Sequence, residues 1–275
     1  MSEMQKNTME KLLDIMKSLR DPETGCPWDI EQTFKTIAPY TIEEAYEVEE
    51  AIENNDIPSL KDELGDLLLQ VVFQARIAEE AGHFSFNDVV DGVCDKMVRR
   101  HPHVFAGATI ADADAQTAAW EVHKAAERAE KAKDRGEVPS VLDGVTAGLP
   151  SLLRAVKLQK RAARVGFDWP DTSFVLDKIR EESLELAEEL AKQASDGQPS
   201  DETVEEFGDL MFVYANLARH LNIDPEAALR GTNRKFERRF HYIEQHLASI
   251  NKDIADADLD EMDRLWDEAK LHEKS

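Results

Sequence analysis

Glu43-Glu44-Ala45-Tyr46-Glu47, followed by Glu63-Leu64-Gly65-Asp66, decides the fold, because the same acids return in the same order at Glu181-Glu182-Ser183-Leu184-Glu185 and Glu206-Phe207-Gly208-Asp209. Residues three and four apart share one face of a helix, so Glu44 projects with Glu47 and Glu63 with Asp66. Glu182 with Glu185 and Glu206 with Asp209 repeat the arrangement. Two carboxylates ~5 Å apart at an effective dielectric of ~20 repel by roughly 3 kcal/mol, so four of them call for a positive centre. Donor oxygens without imidazole or thiolate suit a hard ion, Mg2+ or Mn2+. An ion held by few protein groups keeps positions open for water and phosphate oxygens.

The duplication extends well beyond the acids. Thr24-Gly25-Cys26-Pro27-Trp28-Asp29 precedes the first set and Val165-Gly166-Phe167-Asp168-Trp169-Pro170 the second. Ala75-Arg76 follows Asp66 at the interval at which Ala218-Arg219 follows Asp209, and Lys-x-x-Arg-Arg comes next, at Lys96, Arg99, Arg100 and at Lys235, Arg238, Arg239. Trp120 to Lys124 and Trp266 to Lys270 close the copies. Ordered matches of this kind indicate tandem repetition of one unit. The spacing predicts domains at residues 1–125 and 149–275, joined by a charged linker at 126–148 whose first part continues a helix. Leu12, Leu13, Met16 and Leu19 have helical spacing, as do Leu152, Leu153, Val156 and Leu158, and a wide apolar stripe follows each acid pair. No alternating strand pattern occurs. The expectation is an all-α chain of two four-helix-bundle units, with the acids on one face of each. Gly65 and Gly208 fall inside helices at a cost of ~1 kcal/mol each, which predicts close backbone approach there.

Bulk properties narrow the function. The 275 residues carry 33 basic and 57 acidic side chains, a net charge of −24. So acidic a chain repels nucleic-acid backbones, so no nucleic-acid polymer is expected as a partner. No apolar run approaches the ~20 residues of a membrane span, and the amphipathic N-terminus lacks a signal-peptide core, so a soluble, cytoplasmic protein is expected. Cys26 and Cys94 are too few for a disulfide framework, and Cys26 reads as a buried thiol. His101-Pro102-His103 reads as a loop after a helix, because its counterparts are Phe240 and Tyr242. Asp256, Asp258 and Asp260 begin like a calcium loop but have Glu261 where the loop needs glycine, so they read as capping the helix that holds Trp266. A di-iron bundle needs Glu-x-x-His on two helices, and only Glu80 with His83 has that spacing.

Doublet, Glu-x-x-Asp pair and tandem order, with Gly-Cys-Pro-Trp-Asp ahead of the first copy, resemble the MazG family of nucleoside triphosphate pyrophosphohydrolases over almost the whole chain. The resemblance implies bundles completed by dimerisation and Mg2+-dependent hydrolysis of a nucleoside triphosphate to monophosphate and pyrophosphate, with broad specificity and a housekeeping role. It implies metal ligands at Glu182, Glu185, Glu206 and Asp209, with Glu44, Glu47, Glu63 and Asp66 as the first copy's equivalents. Nucleotide contacts are implied for Lys178, Glu181, Glu182, Glu202, Glu205, Asp209, Lys235, Arg238, Arg239 and Trp266. Lys178, Glu181 and Glu205 are the candidate catalytic groups. Lys178 lies on the face of Glu182, whereas its counterpart is the uncharged Tyr40, and Glu205 has the shorter Asp62 as counterpart. The second copy is therefore expected to be the main catalyst. The alternatives are a non-catalytic helical module that binds nucleotide or protein, and a related all-α pyrophosphatase acting on deoxyuridine triphosphate or a phosphoribosyl nucleotide.

Overall fold

The computed structural model describes residues 8–136, 138–192 and 198–273, so the first seven residues of the amphipathic N-terminus, Glu137 of the expected linker, and residues 193–197 and 274–275 of the second expected domain lie outside it. Among the described residues there are only helices, α1 to α12 in chain order and one 3-10 turn, joined by turns and irregular segments. The chain divides into two compact units, Met1–His123 and Lys124–Ser275, each carrying one copy of the acid pattern.

In the first unit α1 (Thr8–Leu19), the short α2 (Pro27–Glu31), α3 (Phe34–Glu53), α4 (Ile57–Glu80) and α5 (Phe86–Arg100) form a bundle in which α3 pairs with α4 and α4 also meets α1 and α5. Local chemistry sets the boundaries. Thr33 and Thr36 close a capping box on α3, and Asp56 accepts the Ser59 backbone N–H to start α4. Asn55, at a φ of 53°, reverses the chain between them in a left-handed conformation that asparagine tolerates. Met16, Ile37, Val72, Phe73 and Ile77 make the core. A short helix, α6 (Pro102–Phe105), follows His101, so the segment expected as a loop is a helical turn begun by Pro102 at its first position. The division between the units falls within α7 (Ala113–Arg135), and the rest of the expected linker runs through turns to Pro150.

The second unit repeats the plan with α8 (Ser151–Ala163), α9 (Thr172–Lys192), α10 (Asp201–His220), α11 (Pro225–Ser249) and α12 (Leu259–His272). Helix α10 packs against α8 and α9, and α11 packs against α8 and α12. Asp258 caps α12 through the Glu261 backbone N–H, as the aspartate run predicts. Gly25 and Gly166, at matching points of the two Trp loops, are required for different reasons. A Cβ on Gly25 would stand 2.4 Å from the Leu19 carbonyl oxygen, whereas Gly166 has a φ of 87°. Gly65 and Gly208 correct the expectation of close backbone approach. A Cβ at either meets nothing within 4 Å, because both lie on the exposed face of their helix pair beside the acids. Cys26 is half-buried rather than buried, since its loop lies on the surface of α1.

One ion pair ties the first unit together. Arg20, nearly buried, donates from Nη2 to Glu80 at 2.7 Å and from Nε at 3.1 Å, and lies over the Phe73 ring at 5.3 Å. Burial alone would raise the Glu80 carboxyl, but Arg20 and then Arg76 outweigh it and hold it below the usual range. A carboxylate depressed in the folded state stabilises above the unfolded pKa near ~4.3, and that contribution disappears as pH falls through the folded value. Glu80→Gln is therefore expected to cost the first unit about 2–3 kcal/mol at neutral pH, and little once acid has protonated the wild-type group. Urea unfolding followed from pH 7 down into the acid range checks this, the difference between variant and wild type shrinking as pH falls through the folded value.

Candidate active site

In the second unit the site is built on the antiparallel pair α9 and α10. Glu182, Glu206 and Asp209 each offer a carboxylate oxygen within 4.8 Å of the others, and Glu182 is only 5% exposed. Clustering is unfavourable for the bare acids. The Glu206 carboxyl is raised, first by desolvation and then by Glu185, Glu182 and Asp209. Glu185 is raised as well, by desolvation and the charge of Glu182. Three of the four expected ligands thus converge, and Glu185 lies on the exposed side, coupled to them by charge. Lys178 donates at 2.8 Å to Glu181 and pairs with Glu182 at 2.6 Å, which raises its own pKa above the ordinary lysine value. It is the cation that allows Glu182 to be buried. Glu205 is exposed on the next position of α10, and Glu202 lies in the first turn of that helix after its cap, Ser200.

The first unit places Glu44, Glu63 and Asp66 together in the same way, with Glu47 on the exposed side. Desolvation raises Glu44, followed by Asp66 and Glu47; desolvation raises Glu63, followed by Glu47 and Asp66. What differs is the neutralising group. Tyr40, the counterpart of Lys178, turns its ring edge-on to Trp28 at 6.0 Å. Gln70, almost fully buried, reaches Glu44 at 3.5 Å instead. The second unit thus has an ammonium group against its buried acid, and the first has a neutral amide. Sequence spacing missed Gln70 because its counterpart, Val213, is apolar and signals nothing.

The cationic cluster lies on the α11–α12 hairpin. Arg238 and Arg239 both grip Glu273, Arg238 through Oε1 at 2.8 and 3.1 Å and Arg239 through Oε2 at 2.7 and 2.9 Å. This fork-to-carboxylate geometry is the one guanidinium groups also use for phosphate. Arg239 lies over the Trp266 ring at 5.4 Å, and Phe236 meets the same ring at 5.3 Å, so Trp266 is half-covered by its own hairpin. Lys235 is exposed on α11. Glu273 was not anticipated, although it follows Trp266 by two helical turns on one face. In the first unit Trp120 donates to the Arg100 carbonyl at 3.2 Å and meets the His101 ring edge-on.

The acid cluster brings carboxylate oxygens close enough together to contribute to holding a divalent ion, beside a basic group suited to a phosphate oxygen. Comparisons with known proteins identify the family. A family model for the MazG nucleotide pyrophosphohydrolase domain matches residues 32–105 and 172–243, once in each unit. The nucleoside triphosphate pyrophosphohydrolase of Escherichia coli (strain K12) is 49% identical over 267 residues, covering 97% of this chain and 98% of that protein. The nucleoside triphosphate pyrophosphohydrolase/pyrophosphatase MazG of Thermotoga maritima is 42% identical over 262 residues, covering 95% of each.

Proposed function

The chain belongs to the MazG nucleotide pyrophosphohydrolase family, and from that premise we propose that it hydrolyses nucleoside triphosphates to monophosphate and pyrophosphate in its second unit. The observation that carries the reading is the convergence of Glu182, Glu206 and Asp209 beside Lys178. Glu182, Glu185, Glu206 and Asp209 would hold Mg2+, or Mn2+ in its place. The ion, when bound, supplies positive charge to the phosphate oxygens and to the leaving pyrophosphate. Lys178, paired with Glu181 and Glu182, would offer its ammonium group to a phosphate oxygen. Released from Lys178, Glu181 would be free to orient the attacking water, and Glu205 is the second group of the right kind on the facing helix. Arg238 and Arg239 would exchange Glu273 for phosphate without changing their fork geometry, with Lys235 and Glu202 at the edge of the site. Trp266 would cover the bound nucleotide.

The reading includes a second copy of the chain. Leu184 is 65% exposed and Phe207 56% exposed beside the acids, and Leu176, Phe212 and Tyr214 add to the apolar surface of the α9–α10 pair. That area favours a homodimer in which a partner's helices complete the bundle. No described helix is long and apolar enough to cross a membrane. We place the enzyme in the cytoplasm, acting on a broad range of ribo- and deoxyribonucleoside triphosphates to keep the nucleotide pool in order. A panel of triphosphates, incubated with and without Mg2+ and separated by ion-exchange chromatography, is expected to give monophosphate and pyrophosphate only when the ion is present. Diphosphate and orthophosphate as products, or no turnover of any member, would refute the reading.

A further inference from the structure

The two units differ in one place that the acid chemistry does not use. Phe73 follows Asp66 on α4 at the interval at which Asn216 follows Asp209 on α10. In the first unit Phe73 is 3% exposed, part of the core, and lies beneath Arg20. In the second unit the matching position carries an amide that is also buried, 5% exposed, and it borders a cavity of about 500 Å3. Trading a buried ring for an amide and a void forfeits packing on two counts, the lost transfer of the ring and the cavity left behind.

The walls of this cavity are Leu142, Leu158, Phe167, Trp169 and Phe212. Gln159 and Asn216 border it as the buried polar groups. Gln159, 7% exposed, donates from Nε2 to the Phe212 carbonyl at 2.8 Å and has no partner for its Oε1. Asn216 accepts two Arg219 N–H groups at its Oδ1, at 2.8 and 3.2 Å, so its Nδ2 donors are not used in that contact. The charges beside the cavity are spent on one another, since Asp168 is paired with both Arg219 and His220. Phe167 is 82% exposed, an aromatic face at the edge with no core to fill.

We propose that this cavity is a binding site for a flat, uncharged heterocycle with adjacent hydrogen-bond donor and acceptor on one edge, that is, a nucleobase or nucleoside. Its volume falls in the range of small-molecule sites, which are mostly apolar with a few fixed polar groups. A buried amide oxygen without a hydrogen bond is unfavourable, and a ligand N–H would satisfy it. Aromatic walls supply stacking that every base accepts. Because no uncommitted charge borders the cavity, a phosphate is not what it recognises. Two sources present this chemistry. Phe212 begins ~4.5 Å along α10 from Asp209 and Asn216 ~10 Å from it, so the base of a nucleotide held at the acids is one source. A separate nucleoside bound as an effector is the other. The site extends the nucleotide reading but does not depend on catalysis, since a nucleoside carries nothing for the acid cluster.

The test uses the full chain without metal and follows the Trp169 indole N–H by NMR, assigned with Trp169→Phe, while adenosine, guanosine, cytidine and thymidine are titrated in turn. At least one is expected to shift Trp169 and leave Trp28 and Trp120 unmoved, whereas ribose 5-phosphate and pyrophosphate shift none. Asn216→Phe, which restores the first unit's residue, and Ala162→Leu, which narrows the cavity, are each expected to weaken that binding at least tenfold. A non-hydrolysable triphosphate with Mg2+ separates the sources. If it moves Trp169 and competes with the nucleoside, the base of the held nucleotide fills the cavity; if both bind together, the ligand is an effector. The proposal falls if neither nucleoside nor analogue moves Trp169, or if folded cavity-filling variants bind as tightly as wild type.

Discussion

Glu206→Ala and Asp209→Ala are each expected to reduce pyrophosphate release at least about 10³-fold, while Glu63→Ala and Asp66→Ala leave most of it. An ion that neutralises developing charge on the phosphates stabilises the transition state by several kcal/mol, and each 1.36 kcal/mol is a factor of ten in rate. The asymmetry between the units follows from their neutralising groups. Lys178 stands against Glu182 in the second unit, and only Gln70 stands against Glu44 in the first. Loss of activity through unfolding is ruled out by a second readout. In the absence of metal the acids repel one another, so Glu206→Ala should melt no lower than wild type, and wild type should gain more stability from added Mg2+ than this variant does. Equal losses from both sets of variants would show that the units share the chemistry, and unchanged turnover in Glu206→Ala would remove the second unit from it.

Lys178→Met is expected to act on stability and turnover together, in a way metal can separate. Glu182 is buried against the Lys178 ammonium, and removing one partner of such a pair leaves an uncompensated charge. The cost should be about 2–3 kcal/mol in metal-free protein, reduced from the fully buried case because Lys178 is partly exposed. Mg2+ at the acids supplies the missing charge, so the difference in melting temperature between variant and wild type should shrink as the ion is added. Turnover should not recover with it. The phosphate oxygen that Lys178 would meet is left without its cation, and a loss near 10²-fold in kcat is expected even at saturating Mg2+. Recovery of full activity with Mg2+ would show that Lys178 only steadies Glu182.

Much of this was legible in the sequence because it depends on residues close together in the chain. Helical periodicity puts Glu206 with Asp209 and Lys178 with Glu182, and repetition identifies the helix pair that brings them together. The cap at Asp258 is equally local. Features that depend on distant helices were not legible. Glu273 in the Arg238–Arg239 fork needs the α11–α12 turn to bring the ends of two helices together, and Gln70 looks like any polar residue until α3 packs over it. The exposed faces at Gly65 and Gly208 depend on what does not pack there, and no pattern within a helix encodes that. The cavity beside Asn216 is visible only as the difference between two folded copies.

The central claim is that the acids of α9 and α10 hold a divalent ion that presents a triphosphate. Calorimetric titration of the full chain with a non-hydrolysable nucleoside triphosphate tests it most directly. The account predicts saturable binding with Mg2+ that is lost in Asp209→Ala and kept in Asp66→Ala. Binding of the same strength with and without Mg2+, or binding untouched by Asp209→Ala, would contradict it.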